Sequence, residues 1–199
     1  NNLYTLNHCG GVLDDDVIVM FADVLMSADT LRRVIDSDGD FALLSDTSRV
    51  LENTMRIIVN EADSIIDIGG HIPASDGDGN FVGIARYSKA AATELRAEMQ
   101  RLVNAGGYQG SYYIEAVRQL ADKGRTITPV RLDGDSWLEI DTLDELTLAR
   151  NATFYVHGDA ASREAAPSTA AARLRALFKK GDLIRLAAAH NPLGAKLVA

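Results

Sequence analysis

The chain of 199 residues is 47% hydrophobic and 24% charged, the balance of a globular protein with a sizeable core. Its net charge of -8 argues against a nucleic-acid binder, which needs a basic face, but leaves room for a small anionic substrate. No apolar run reaches the ~18 residues of a membrane span, no charged-then-apolar leader opens the chain, and the single cysteine, Cys9, excludes an internal disulfide and fits a reducing cytoplasm.

The chain opens on Asn1-Asn2-Leu3-Tyr4-Thr5-Leu6 with no initiator methionine, the start expected of a fragment. Residues 3–12 read as a helix feeding the apolar run Val17-Ile18-Val19-Met20-Phe21, which ends at Ala22-Asp23. Ser27 has the position of an N-cap for a short helix to Ile35 that turns Leu31, Val34 and Ile35 inward. Phe41–Leu44 is the next strand, and residues 54–68 alternate (Met55, Ile57, Val59) as strand or hairpin. Asp76, Asp78 and Asn80 have the spacing that opens a calcium loop. The position that would need its bidentate glutamate is Tyr87, so the cluster reads as a hairpin turn before the strand Phe81–Ala85.

Ser88 caps a long amphipathic helix to Asn104, stopped by Gly106-Gly107, and a second helix runs from Ser111 to Lys123. Ile127–Leu132 is a strand that Pro129 assigns to an edge. The strand Trp137–Ile140 ends at Asp141, and Thr142 and Glu145 have the spacing of a capping box for a helix to Arg150. Beyond Asn151 the composition shifts to Ala, Ser and Gly, as in a linker, before a helix over 170–180 and an apolar strand over 183–189.

These elements predict an α/β fold. Residues 1–150 form a mostly parallel sheet with helices on both faces, 151–169 a linker, and 170–199 the opening helix and strand of a second domain. Two strands deliver a carboxylate to their carboxyl ends, Asp23 and Asp141. In open α/β sheets that is where ligands gather. Two aspartates meeting there hold a hard cation such as Mg²⁺ together with substrate phosphates. The plainer alternative makes each aspartate a cap for the adjoining turn or helix. Glu139 faces opposite Leu138 and Ile140, as a group supporting the site or as a solvated side chain.

Five motifs in order carry a family resemblance: Asn1-Asn2-Leu3-Tyr4-Thr5, the strand ending Ala22-Asp23, Phe81-Val82-Gly83-Ile84, Tyr112-Tyr113-Ile114-Glu115, and Trp137-Leu138-Glu139-Ile140-Asp141-Thr142. Over residues 1–150 the chain resembles the nucleotidyltransferase family, and within it the cytidylyltransferases acting on phosphocholine and 2-aminoethylphosphonate. The resemblance implies Mg²⁺-dependent transfer of CMP from CTP to a phosphate or phosphonate oxygen, with pyrophosphate leaving. It makes Asp23 and Asp141 the catalytic, metal-binding residues and sets Asn2 near the nucleotide. It places Tyr112, Tyr113 and Glu115 at the acceptor pocket, where aromatic faces and a carboxylate suit a cationic amine. A core tyrosine and a favourable first-turn charge are the equal alternative for these three.

The family's glycine-rich loop, with the arginine and lysine that hold the triphosphate, has no counterpart ahead of Asn1. Asn80 stands where a glutamate often precedes the Phe-x-Gly-Ile strand. Residues 1–199 alone are therefore expected to transfer nucleotide poorly. The surface left by a missing strand favours association into a homo-oligomer.

The tail carries a second resemblance. Leu174-Arg175-Ala176-Leu177-Phe178, then Ala187-Ala188-Ala189-His190-Asn191-Pro192-Leu193-Gly194-Ala195-Lys196-Leu197, resembles the opening of the phosphoenolpyruvate mutase and phosphonopyruvate hydrolase family, nearer the hydrolase branch. It implies an α/β barrel beginning at residue 170, with His190 closing its first strand rather than binding a ligand. Both families handle carbon–phosphorus compounds, so together they imply a bifunctional cytoplasmic enzyme of phosphonate metabolism. The rival readings are the mutase or hydrolase activity of the parent protein, and a degenerate, non-catalytic nucleotidyltransferase domain.

Overall fold

A computed structural model describes residues 2–52, 54–132, 137–151 and 185–187. Helix α1 (Asn2–His8) and a 3-10 turn (Gly10–Val12) lead into strand β1 (Val17–Met20). Then come β2 (Val24–Leu25), α2 (Ala28–Ile35), β3 (Phe41–Asp46), β4 (Met55–Val59), β5 (Ile65–Gly69) and β6 (Gly79–Tyr87). The remaining elements are α3 (Lys89–Ala105), α4 (Ile114–Asp122), β7 (Thr128–Arg131), β8 (Leu138–Glu139), α5 (Leu143–Asn151) and β9 (Arg185–Ala187). The α/β class read from the sequence is the class observed.

The helix ends obey local chemistry. Ser27 Oγ accepts the Thr30 N–H at 3.1 Å and Ser88 Oγ accepts the Ala91 N–H, each satisfying an otherwise orphaned first-turn donor. Gly106, with φ +74°, ends α3. Helices α3 and α4 are joined across their faces by Glu98, which is buried and pairs with Arg101 at 2.6 Å and with Lys123.

Strand β6 is the axis of the main sheet. One edge carries β3 from Asn80 to Tyr87; the other is shared end to end by β4 near Gly79–Phe81 and β1 near Ile84–Tyr87. At the hand-over, Gly83 has φ +83°, and a Cβ there would stand 2.6 Å from the Phe21 ring. Only glycine fits without moving Phe21, whose ring packs edge-on against Phe81 and Tyr113 in the core. Outside these strands, β5 lies beside β4, β7 beside β3, and β9 beside β1.

Pairing is mixed rather than mostly parallel. Strand β6 runs antiparallel to β1, β3 and β4, and only β3–β7 and β1–β9 are parallel among the described strands. The tight turn over 60–64 forces β4 and β5 antiparallel, because a parallel return needs a far longer connection. Two expectations shift accordingly. The segment before β6 is no hairpin turn, since β5 and β6 both pair with β4 and not with each other. The Trp137–Ile140 strand does not join the main sheet: β8 pairs with β2 in a separate two-stranded ribbon. Pro129 does sit on an outer strand, β7, as predicted.

Of the apolar run expected as a strand at 183–189, the described residues Arg185–Ala187 form β9 on the outer edge of β1. The linker, the helix over 170–180 and His190 lie outside the described residues. Among the described residues no helix is long and apolar enough to cross a membrane.

Candidate functional site

Asp23 sits in the turn between β1 and β2, just past the carboxyl end of β1. Its carbonyl accepts the Ile140 N–H at 2.9 Å, which continues the β2–β8 ladder, in which Val24 pairs with Glu139. This pairing carries Asp23 to the ribbon strand that presents Glu139 and Asp141. One carboxylate oxygen from each of Asp23, Glu139 and Asp141 lies within 4.8 Å of the other two. Glu139 and Asp141 are two positions apart on an extended chain and therefore share a face.

Three carboxylates at this range repel one another. Partial burial and then the charges of Asp141, Asp23 and Glu145 push the Glu139 carboxyl up to about 7. Asp23 Oδ1 is buried and has no hydrogen-bond partner among the described residues. A buried carboxylate oxygen without a donor is costly, and a hard divalent cation would relieve both the orphaned oxygen and the repulsion. The all-oxygen donor set suits Mg²⁺.

Helix α5 fixes the Asp141 end of this group. Glu145 Oε2 accepts the N–H of Asp141 and of Thr142, both at 2.8 Å, and Thr142 Oγ1 accepts the Glu145 N–H. The capping box predicted from spacing is formed. A cleft of about 270 Å³ opens beside the carboxylates, lined by Arg49, Leu51, Glu52, Thr54, Trp137 and Leu138 as well as Glu139, Asp141 and Glu145. Its wall hangs on two buried side chains. Arg56 donates to the carbonyls of Leu51, Glu52, Gly70 and Ile72. Asn80 accepts from Leu51 N–H and Thr54 Oγ1 and donates to Arg49 O.

No protein-family model and no curated protein matches the chain. Solved structures do. An inositol-1-phosphate CTP transferase from T. maritima superposes with a TM-score of 0.57 at 16% identity, over 73% of this chain and 57% of that one. A CTP:phosphocholine cytidylyltransferase from Streptococcus pneumoniae gives 0.60 at 19% identity, over 76% and 63%. The fold is nucleotidyltransferase-like. A protein described as a glucose-1-phosphate thymidylyltransferase from Bacillus anthracis, solved with a sucrose, gives 0.59 at 16% identity, over 76% and 60%. The chain thus spans about three-fifths of the length of these structures.

Within this nucleotidyltransferase-like fold the other expected site residues divide. Tyr112 and Glu115 reach a second, smaller cleft of about 150 Å³, with Met55, Gly70, His71 and Ser111. Glu115 is engaged there by Arg118 at 2.6 Å and Gln119 at 3.0 Å. Burial alone would raise its carboxyl; these hydrogen bonds outweigh burial and lower it. Tyr113 takes the core alternative: its ring is fully buried, edge-on to Phe21, with its hydroxyl against that of Tyr87. An aromatic at the N-cap of an amphipathic helix can pack with that helix's apolar face. Asn2 is also buried, and its Oδ1 accepts the Tyr113 N–H at 2.7 Å, so it braces the start of α4.

Two features carry no clear signature in the sequence. Glu139 joins Asp23 and Asp141 rather than standing behind them or in solvent, a placement its two-residue offset from Asp141 permits without requiring. Arg49 and its stack on Trp137, 5.9 Å from guanidinium carbon to ring centroid, have no local signal at all.

Proposed function

We propose that the protein is a Mg²⁺-dependent nucleotidyltransferase of the cytidylyltransferase type, transferring CMP from CTP to a phosphate or phosphonate acceptor. The observation that carries this reading is the convergence of Asp23, Glu139 and Asp141, with Asp23 Oδ1 buried and unpaired among the described residues, beside a cleft in a nucleotidyltransferase-like fold. The motif order and the likeness to a phosphocholine enzyme support an acceptor of the phosphocholine or 2-aminoethylphosphonate kind.

In the reaction an acceptor oxygen bonds to the α-phosphorus while the bond from that phosphorus to the β-bridging oxygen breaks, and pyrophosphate departs. An ionised phosphate or phosphonate oxygen has no proton to lose, so the chain needs no general base. Its task is positioning and charge balance. Asp23, Glu139 and Asp141 would hold Mg²⁺, which supplies charge neutralisation at the phosphates when bound. Glu145 holds the Asp141 backbone, and Arg56 and Asn80 keep the cleft wall in place, so the site is assembled before substrate arrives.

The test is pyrophosphate release by the native full-length protein with CTP, Mg²⁺ and either acceptor. Turnover should be abolished by D141N and by chelation of the metal. Absence of acceptor-dependent pyrophosphate release with every nucleoside triphosphate would refute the reading.

A further inference from the structure

The cleft beside the carboxylates has an uneven charge pattern. Glu52, Glu139, Asp141 and Glu145 line it, and among its described lining residues Arg49 is the single cation. An anionic substrate entering this cleft meets four acids. A metal at the carboxylate triad supplies one positive locus, and a second phosphoryl-type group needs another.

Arg49 is built for that use. Its carbonyl is held by Nδ2 of the fully buried Asn80 at 2.7 Å, which anchors the backbone. Its Nε edge faces Asp46 Oδ2 at 3.4 Å, and its guanidinium stacks over the Trp137 indole. Trp137 Nε1 donates to the same Asp46 oxygen at 2.8 Å, while Asp46 Oδ1 accepts from Ser48 N–H and Oγ. The Asp46 carboxylate is only 4% exposed, so it faces inward and is shared among these donors. The Arg49 side chain is 55% exposed, and its two terminal nitrogens take no partner among the described residues. An arginine with one edge tied down and its fork free loses little conformational entropy on gripping an oxyanion.

We infer that Arg49 is the oxyanion-recognising residue of this cleft, binding a phosphoryl or phosphonyl group through its terminal nitrogens, with Asp46 and Trp137 as its positioning residues. The inference rests on the nucleotidyl-transfer reading for its role in turnover, but the binding it predicts is separable from it. The acceptor's anionic group and the triphosphate tail offer the same chemistry, so the experiment carries one probe for each.

Wild-type protein, R49Q and R49K are titrated calorimetrically with methylphosphonate and, separately, with pyrophosphate, each with Mg²⁺ present. R49Q should weaken one probe by about ten- to a hundredfold, the effect of losing a charged bidentate partner. R49K should recover part of that loss, and Tm should be unchanged in both. Loss confined to methylphosphonate assigns Arg49 to the acceptor; loss confined to pyrophosphate assigns it to the triphosphate. Unchanged binding of both probes in R49Q overturns the inference, as does an equal loss in both variants accompanied by a lower Tm. Pyrophosphate release by the wild-type protein, measured beside these titrations, keeps the two readings apart: its absence with Arg49-dependent binding intact would sink nucleotidyl transfer alone.

Discussion

At the scale of single residues, Gly83 shows how a position acquires its constraint. Strand β6 passes from β4 to β1 there, the backbone takes φ +83°, and Phe21 fills the space a Cβ would need. Both the left-handed backbone and the contact penalise a side chain. G83A should cost about 2–4 kcal/mol, adding the αL strain to core overpacking. Urea unfolding of the variant checks this, and wild-type stability would contradict it. Glu98 gives a pH-dependent counterpart. Burial would raise its carboxyl, but hydrogen bonds and charge from Arg101 and Lys123 outweigh burial and lower it. A lowered native pKa contributes stability that is complete above the ordinary glutamate value of 4.5 and lost as pH falls through the lowered one. Urea melts across acidic pH should therefore show a shallower acid decline in E98Q than in wild type, together with a loss of about 1–3 kcal/mol at neutral pH.

At the scale of elements, the start of α5 serves both stability and the site. The reciprocal Thr142–Glu145 bonds satisfy first-turn donors, and the same Glu145 oxygen holds the Asp141 N–H. E145A should weaken the first turn of α5 by removing the acceptor of two backbone donors. It should also speed amide exchange over the first turn of α5 relative to α3, measurable by hydrogen exchange. Arg56 plays the matching part on the other wall, where one buried guanidinium joins carbonyls from two separate loops, 51–52 and 70–72. R56M keeps the bulk but leaves those acceptors unpaired, at a cost of at least about 3 kcal/mol. A variant as stable as wild type in urea melts would show that water replaces the guanidinium freely.

At the scale of the whole molecule, the proposed metal site at the acidic triad predicts effects on stability of opposite sign in two conditions. Without a cation the three carboxylates repel, so D141N should raise the melting temperature of the metal-free protein. With Mg²⁺ at about a hundredfold excess over its dissociation constant, wild type should gain roughly 2.7 kcal/mol. D141N should gain almost none. Scanning calorimetry with Mg²⁺ and with a chelator tests both arms. A wild-type protein indifferent to Mg²⁺ would remove the metal assignment.

The described helices, their caps, the edge position of β7 and the candidacy of Asp23 and Asp141 were legible in the sequence, because each depends on residues within a turn or two. Ser27 and Ser88 cap the helices that begin beside them, Thr142 and Glu145 meet across one helical turn, and apolar runs mark strands whatever their neighbours. What local pattern could not decide was which edges meet. The Ile140 N–H bonds to the Asp23 carbonyl only because β8 leaves the main sheet to pair with β2, and that pairing makes Glu139 a member of the triad. Tyr113 and Tyr112 are neighbours in sequence, yet one is sealed against Phe21 and the other lines a cleft. Arg49 meets Trp137 because Asp46, at the end of β3, accepts from both. Such contacts join segments far apart in the chain, and their energies count only after sheet formation has offset the loop entropy of bringing them together. The sequence alone therefore determined the parts and the chemistry they carry, while the tertiary structure decided which carboxylates, cation and aromatic share a cleft.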